Sequence, residues 1–196
     1  LLLTPILVSF LAAYPTINLE LSEKDDAQLE EAVVSGELDC AVMTAWGSPR
    51  ASALHLLTEE ILLVLPEDHR LAVLPAVPMQ MLAGESILLP RATMNAGNVA
   101  AVALRRAGFE PKFSYRANYP ELIKALVRRG LGVAPMPRML VPPATLEGLV
   151  VVPFEPRLYR DLNIVYPRDR PLPAGARALI THIRGVVHGS TAVDQV

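Results

Sequence analysis

The spacing of apolar positions changes period several times within the first 43 residues. In "LLLTPILVSFLAAYP", Ile6, Leu7, Phe10, Leu11 and Tyr14 follow helical spacing, with Thr4 placed as N-cap, Pro5 at the first helical position and Pro15 as a stop. "TINLELS" then alternates Ile17, Leu19 and Leu21 against polar neighbours, which predicts a strand with one covered face. Asp25 with Gln28 three residues on predicts a capping box opening a second helix. Leu29, Ala32 and Val33 line its apolar face and Gly36 fits its C-cap. "LDCAVM" follows as a short strand buried on both faces. Strand, helix, strand in this order predicts a βαβ unit with a right-handed crossover and parallel pairing.

The pattern starts again further on. "ALHLLTEEILLVLP" supplies two strand-like runs ending at Pro66, and "EDHRLAVLPAVPMQML" is a proline-broken connector with a short helix near 78–82. "SILLP" predicts a strand, Asn95 to Ala107 a helix stopped by Gly108, "KFSYRA" a strand, and Tyr119 to Arg129 a helix opened by an Asn118/Glu121 capping box and ended by Gly130. "LGVAPMP", "GLVVVPFEP" and "RDLNIVYP" read as strands, and a helix runs from Ala174 to about Val187 before the non-periodic tail "HGSTAVDQV", which is expected to be mobile. "AQLEEAVVSGELDCAV" and "ELIKALVRRGLGVAP" thus repeat one transition, from a helix through glycine into an apolar strand. The expectation is an α/β fold of two Rossmann-like lobes joined by two crossover segments, lobe I from 1–66 plus 157–196 and lobe II from 67–156.

Composition narrows what such a fold can do. The chain is 52% hydrophobic but only 5% aromatic, with a net charge of −2, so it lacks both the stacking surface and the clustered cations needed to grip nucleic acid by itself. The paired arginines at 105–106 and 128–129 fall near predicted helix ends, where cations complement the helix dipole. The single cysteine, Cys40, permits no intramolecular disulfide and reads as a buried, inert thiol, which favours a cytoplasmic setting. No run of 18 apolar residues is present to span a membrane, and the opening cluster lacks the features of a signal peptide.

In open α/β sheets ligands sit beyond the carboxyl ends of the strands, where helix N-termini point and free N–H groups favour small anions. The loops there hold Asp25 and Asp26, Thr44 to Gly47 with Trp46 as a possible pocket wall, Arg91 to Asn95 including Thr93, Asn118 with Tyr119, and Pro135. Arg91 has the geometry to pair a carboxylate bidentately. Phosphate-binding, nucleophile-elbow and zinc-protease motifs are all missing, and His55, His69, His182 and His188 lack metal-ligand spacing, so their default reading is solvent exposure. The acidic cluster "EKDDAQLEE" at 23–31 reads mainly as a helix start. Asp25 with Asp26 is the sole acid pair for an enzyme, and sequence neighbours rarely converge on one substrate atom, so no catalysis, cofactor or metal is expected.

"LLLTPILVSFLAAYPTINLELSEKDDAQLEEAVVSGELDCAVM", "EEILLVLPEDHRLA", "ALRRAGFEP", "LVRRGLGVAPMPRMLV" and "LEGLVVVPFEP…DLNIVYPRDRPL", in this order, resemble the C-terminal effector-binding domain of LysR-type transcriptional regulators over residues 2 to 187. The resemblance implies a fold like the type 2 periplasmic binding proteins. It also implies a small-molecule effector held in the interlobe cleft, lobe rotation that rearranges a homodimer or homotetramer, and DNA contact only through an N-terminal winged helix-turn-helix outside these 196 residues. Residue by residue, it places effector contacts at Asp25, Asp26, Arg91 to Asn95, Asn118, Tyr119 and Pro135, and a dimer interface on the first helix at Ile6 and Phe10. This sequence departs from the family where Asp26 stands in place of a Ser or Thr, which favours an effector with a cationic or hydroxyl group there. The family's opening strand, expected ahead of Leu1, is a second departure. The alternative expectation is a solute-binding protein of a transporter, which shares the clamshell.

Overall fold

The computed structural model describes residues 3–44, 47–89, 95–108, 112–116 and 119–190, with side chains left aside at 95–98, 112–116, 188 and 190. It divides into two compact units, residues 1–57 with 161–196 and residues 58–160. The divisions fall inside two long strands, whereas the sequence expectation set them after Pro66 and after Pro156.

In the first unit α1 (Leu3–Ala13) buries Ile6 and Phe10 against Leu179, Ile180 and Ile183 of α5 (Ala174–Ser190). The spacing of Ile6 and Phe10 puts both on one helical face, and that face is spent on this core. Helix α2 (Asp26–Ser35) has the expected capping box: Asp25 Oδ1 accepts the Gln28 N–H at 2.9 Å, and Gln28 Oε1 accepts the Asp25 N–H at 3.3 Å. Gly36 ends it at φ 93°, a left-handed conformation that glycine adopts without steric cost. The Arg170 guanidinium closes the same end, donating to the Val33 and Leu38 carbonyls.

Strand β1 (Ala41–Met43) pairs antiparallel with the second half of β7 (Leu149–Pro167), Ala41 facing Val165. The expected strand at "TINLELS" does not form: residues 16–25 carry no regular structure. Its alternation is real, since Ile17 and Leu19 pack against the α1–α5 core, but no ladder partner is present among the described residues. The predicted parallel βαβ unit is therefore replaced here by an antiparallel pair.

In the second unit β2 (Ala51–Pro66) pairs antiparallel with β6 (Ala134–Pro137), and β3 (Val77–Pro78) pairs parallel with β7. Strand β4 (Ser86–Leu89) pairs parallel with β5 (Lys112–Arg116). Helices α3 (Asn95–Arg106) and α4 (Pro120–Arg128) complete the unit, with a 3-10 turn at Met79–Leu82 where a short helix was expected. Tyr119, not Asn118, is the N-cap of α4, and no side chain bonds to that end; Asn118 itself lies outside the described residues.

Two cores flank the strands of this unit, one around Ile61, Leu63, Ile87 and Phe154, the other around Leu62, Val64, Ile123 and Val127. Consecutive residues of β2 feed opposite cores, as the two-residue period of a strand requires. Runs that read as separate strands in the sequence are single ones: β2 continues through Glu59 and Glu60, and β7 continues through Pro153 and Pro156.

Candidate functional site

The best-formed polar cluster among the predicted site residues lies where β1 ends and α2 begins. Asp26, the first residue of α2, accepts through one oxygen, Oδ2, from both the Thr44 N–H at 3.1 Å and the Thr44 hydroxyl at 3.2 Å. One helical turn on, Glu30 Oε1 accepts the Gly47 N–H at 2.7 Å and the Ser48 N–H at 2.5 Å. The helix presents residues i and i+4 on one side, so Asp26 and Glu30 reach the same segment. Free amides after a strand ordinarily offer a binding place for an anionic ligand. Here carboxylates of the chain itself take up donors of Thr44, Gly47 and Ser48.

Asp25 is committed to the helix cap. Tyr119 is exposed at the start of α4. Pro135 is enclosed: it sits in the middle of β6 opposite Leu63. Asn95 opens α3, but its side chain lies outside the described residues, as do Trp46, Arg91, Thr93 and Asn118 altogether. Ile6 and Phe10, expected at a dimer interface, are buried inside the first unit; the outward apolar residues of α1 are Val8 and Leu11. Glu30 went unnoticed as an individual residue because an acidic helix start explains a run of carboxylates; the i, i+4 spacing from Asp26 was the available signal.

Two further side chains bear on chemistry. Burial pushes the Cys40 thiol from its ordinary 9.0 to about 11, with neighbouring Asp39 adding to the effect, so little reactive thiolate forms near neutral pH. His182, expected in solvent, is half-buried on α5 where it meets α1, edge-on to Phe10, with Nε2 2.8 Å from Ser9 Oγ. The Ser9 hydroxyl also lies 2.9 Å from the Ile6 carbonyl oxygen, so it links the His182 ring to the backbone of α1. Among the described residues no group of His, Cys, Asp and Glu has the arrangement to hold a metal ion. No helix among them is long and apolar enough to cross a membrane.

The family described as the LysR substrate binding domain matches residues 1–187. The chain belongs to this family. Such LysR domains are ligand-sensing regulatory domains with a type 2 periplasmic-binding-protein-like α/β fold. The chain is 30% identical over 179 residues to the DNA-binding transcriptional dual regulator OxyR of Escherichia coli K12, covering 90% of this chain and 59% of that protein. It is 26% identical over 198 residues to the uncharacterized HTH-type transcriptional regulator YcgK of Bacillus subtilis, covering 91% and 61%.

The C-terminal domain of a probable LysR family regulator from Rhodococcus sp. RHA1 superposes with a TM-score of 0.81 at 29% identity, covering 92% of this chain and 91% of that one. The effector-binding domain of QuiR in complex with shikimate shares the fold, with a TM-score of 0.82 at 15% identity, covering 94% and 90%. The chain thus spans about three fifths of the length of these curated LysR-type relatives. These matches support the regulator reading over that of a transporter's solute-binding protein.

Proposed function

We propose that this chain is the effector-binding part of a non-enzymatic, cytoplasmic LysR-type DNA-binding regulator, and that its effector presents a cationic or hydroxyl group to Asp26. The observation that carries the ligand class is the pairing of Asp26 with Thr44 and of Glu30 with Gly47 and Ser48. A second carboxylate brought to these donors would have to displace one already there and would meet like charge at Asp25, Asp26 and Glu30. An ammonium or hydroxyl group instead finds acceptors. Trp46, Arg91, Thr93, Asn95, Asn118 and Tyr119 are the further residues proposed to surround it.

Signalling follows from differential affinity: an effector shifts the population of conformations only as far as it favours one over another. The proposed readout is a homodimer or homotetramer, with DNA bound through a separate N-terminal domain. Val8 and Leu11 carry the α1 contact in place of Ile6 and Phe10.

A thermal-shift screen of amines, polyols and carboxylic acids tests the ligand class, because a ligand that binds only the native state raises its stability in proportion to RT ln(1 + [L]/Kd). The expected hits are amines or polyhydroxy compounds, and Asp26→Ser should move the preference towards acids. Hits confined to acids, with no change in Asp26→Ser, would reject the reading.

A further inference from the structure

A second polar cluster lies in the 58–160 unit, where β2 turns two consecutive glutamates to opposite faces. Glu59 is satisfied economically: Arg160 donates to Oε1 through Nε at 2.6 Å and through Nη2, and the Met139 N–H reaches Oε2 at 3.3 Å. One guanidinium and one amide are enough for that carboxylate. Glu60, only 7% exposed, is treated differently. Arg157 Nη1 donates to its Oε1 at 2.6 Å, while Arg138 Nη2 donates to its Oε2.

Two guanidiniums thus divide a carboxylate that one could hold in a two-pronged fork. Each spends a single nitrogen on it, and neither has another hydrogen-bond partner among the described residues. Their side chains are 62% and 57% exposed, so the remaining N–H groups face water. The cluster as a whole sets three guanidiniums against two carboxylates and keeps a surplus positive charge.

We propose that Arg138 and Arg157, oriented by buried Glu60, form a binding site for a small oxyanion of the phosphate or carboxylate class. Both guanidiniums donate to one carboxylate, Arg157 to Oε1 and Arg138 to Oε2, and the proposed anion would bridge them on their outer side. Such an anion would relieve the repulsion between the two cations that Glu60 alone leaves half-compensated. A tetrahedral or planar oxyanion suits paired guanidinium edges better than a halide does, because it accepts several directed hydrogen bonds at once. The site lies on β7 and the turn after β6, apart in sequence from the Asp26 cluster, and does not depend on the effector reading.

The test is a titration of the chain with sodium phosphate at constant ionic strength, chloride serving as the control, followed by calorimetry and by the arginine Nε–H resonances. Saturable uptake of one ion per chain is expected, with the Arg138 and Arg157 resonances shifting together. Arg138→Gln and Arg157→Gln should each weaken binding by about tenfold or more. Glu60→Gln, which removes the counter-charge, should tighten it, the opposite of what loss of a purely structural carboxylate would do. A non-saturating response shared with chloride, unmoved arginine resonances, weaker binding in Glu60→Gln, or engagement of a DNA duplex but not of free phosphate would each overturn the proposal. Should the substitutions prevent folding, the wild-type resonances alone decide.

Discussion

Asp26 Oδ2 accepts two hydrogen bonds from a single residue, the backbone N–H and the hydroxyl of Thr44, and so ties the first turn of α2 to the end of β1. The pair is half-buried, and hydrogen bonds to an ionised group contribute more than neutral ones. Asp26→Ala is expected to destabilise the chain by about 1–2 kcal/mol in urea unfolding. Thr44→Val, which keeps the N–H contact, should cost less than Asp26→Ala; equal costs would show that the hydroxyl carries the whole effect.

Cys40 gives a pH dependence of defined sign. Its folded pKa of about 11 lies above the ordinary 9.0, so the folded state holds its proton where the unfolded chain has begun to lose it. The associated stability is fully present below pH 9 and disappears as pH rises towards 11. The stability difference between wild type and Cys40→Ala should therefore narrow over that interval, by roughly 2 kcal/mol. Thiol labelling with a maleimide at pH 7 should be slow in the native chain and rapid in urea.

Gly132 tolerates no side chain. A Cβ at this position would lie 2.4 Å from the Ser86 carbonyl oxygen, and φ is 156°, at the edge of the region that favours glycine. The contact is with backbone, and the Val133 N–H already bonds that same oxygen at 2.9 Å, so relief requires moving β4. Gly132→Ala should cost at least 1–3 kcal/mol, the usual range for overpacking. Gly84→Ala, with open space around it but φ of 89°, isolates the conformational part and should cost about 1 kcal/mol. Comparing the two in chemical denaturation separates steric from torsional strain.

Phe10 is fully buried between α1 and α5, with the Tyr14 ring tilted against it at 4.9 Å and the His182 ring edge-on at 5.5 Å. Phe10→Ala is expected to destabilise the first unit by about 3–5 kcal/mol. Val8→Ala and Leu11→Ala, on the outward face, should leave monomer stability within about 0.5 kcal/mol of wild type and instead weaken self-association in sedimentation experiments. If Phe10→Ala altered only self-association, the assignment of the two faces would be reversed.

Local chemistry made some elements readable from residues alone. Asp25, Gln28 and Gly36 define α2 because caps act within one turn of chain. Pro15 stops α1 for the same reason, whereas Thr4 and Pro5, expected as N-cap and first helical position, lie inside the helix, which already includes Leu3. What failed depended on distant partners. Ile17 and Leu19 alternate as a strand would, yet they pack into the α1–α5 core, and no neighbouring strand among the described residues completes a ladder.

"ALHLLTEEILLVLP" read as two strand-like runs, yet β2 is continuous through Glu59 and Glu60, whose charges are met by Arg138, Arg157 and Arg160 from about 80 to 100 positions away. At the candidate site, Asp26 and Thr44 were both named, while Glu30 was hidden in its acidic run. Ile6 and Phe10 showed the converse limit, since helical periodicity marks an apolar face without saying which neighbour covers it.

The uninterrupted course of β2 from Ala51 to Pro66 makes its length a stricter heritable trait than its composition. Exchanging one aliphatic residue for another along Ile61 to Leu65 preserves which core each side chain enters. Adding or deleting a single codon between Glu60 and Leu65 would invert that alternation, swapping the occupants of both cores downstream in one event. Descendants of this chain should accordingly vary in the letters of this segment while never varying in their number.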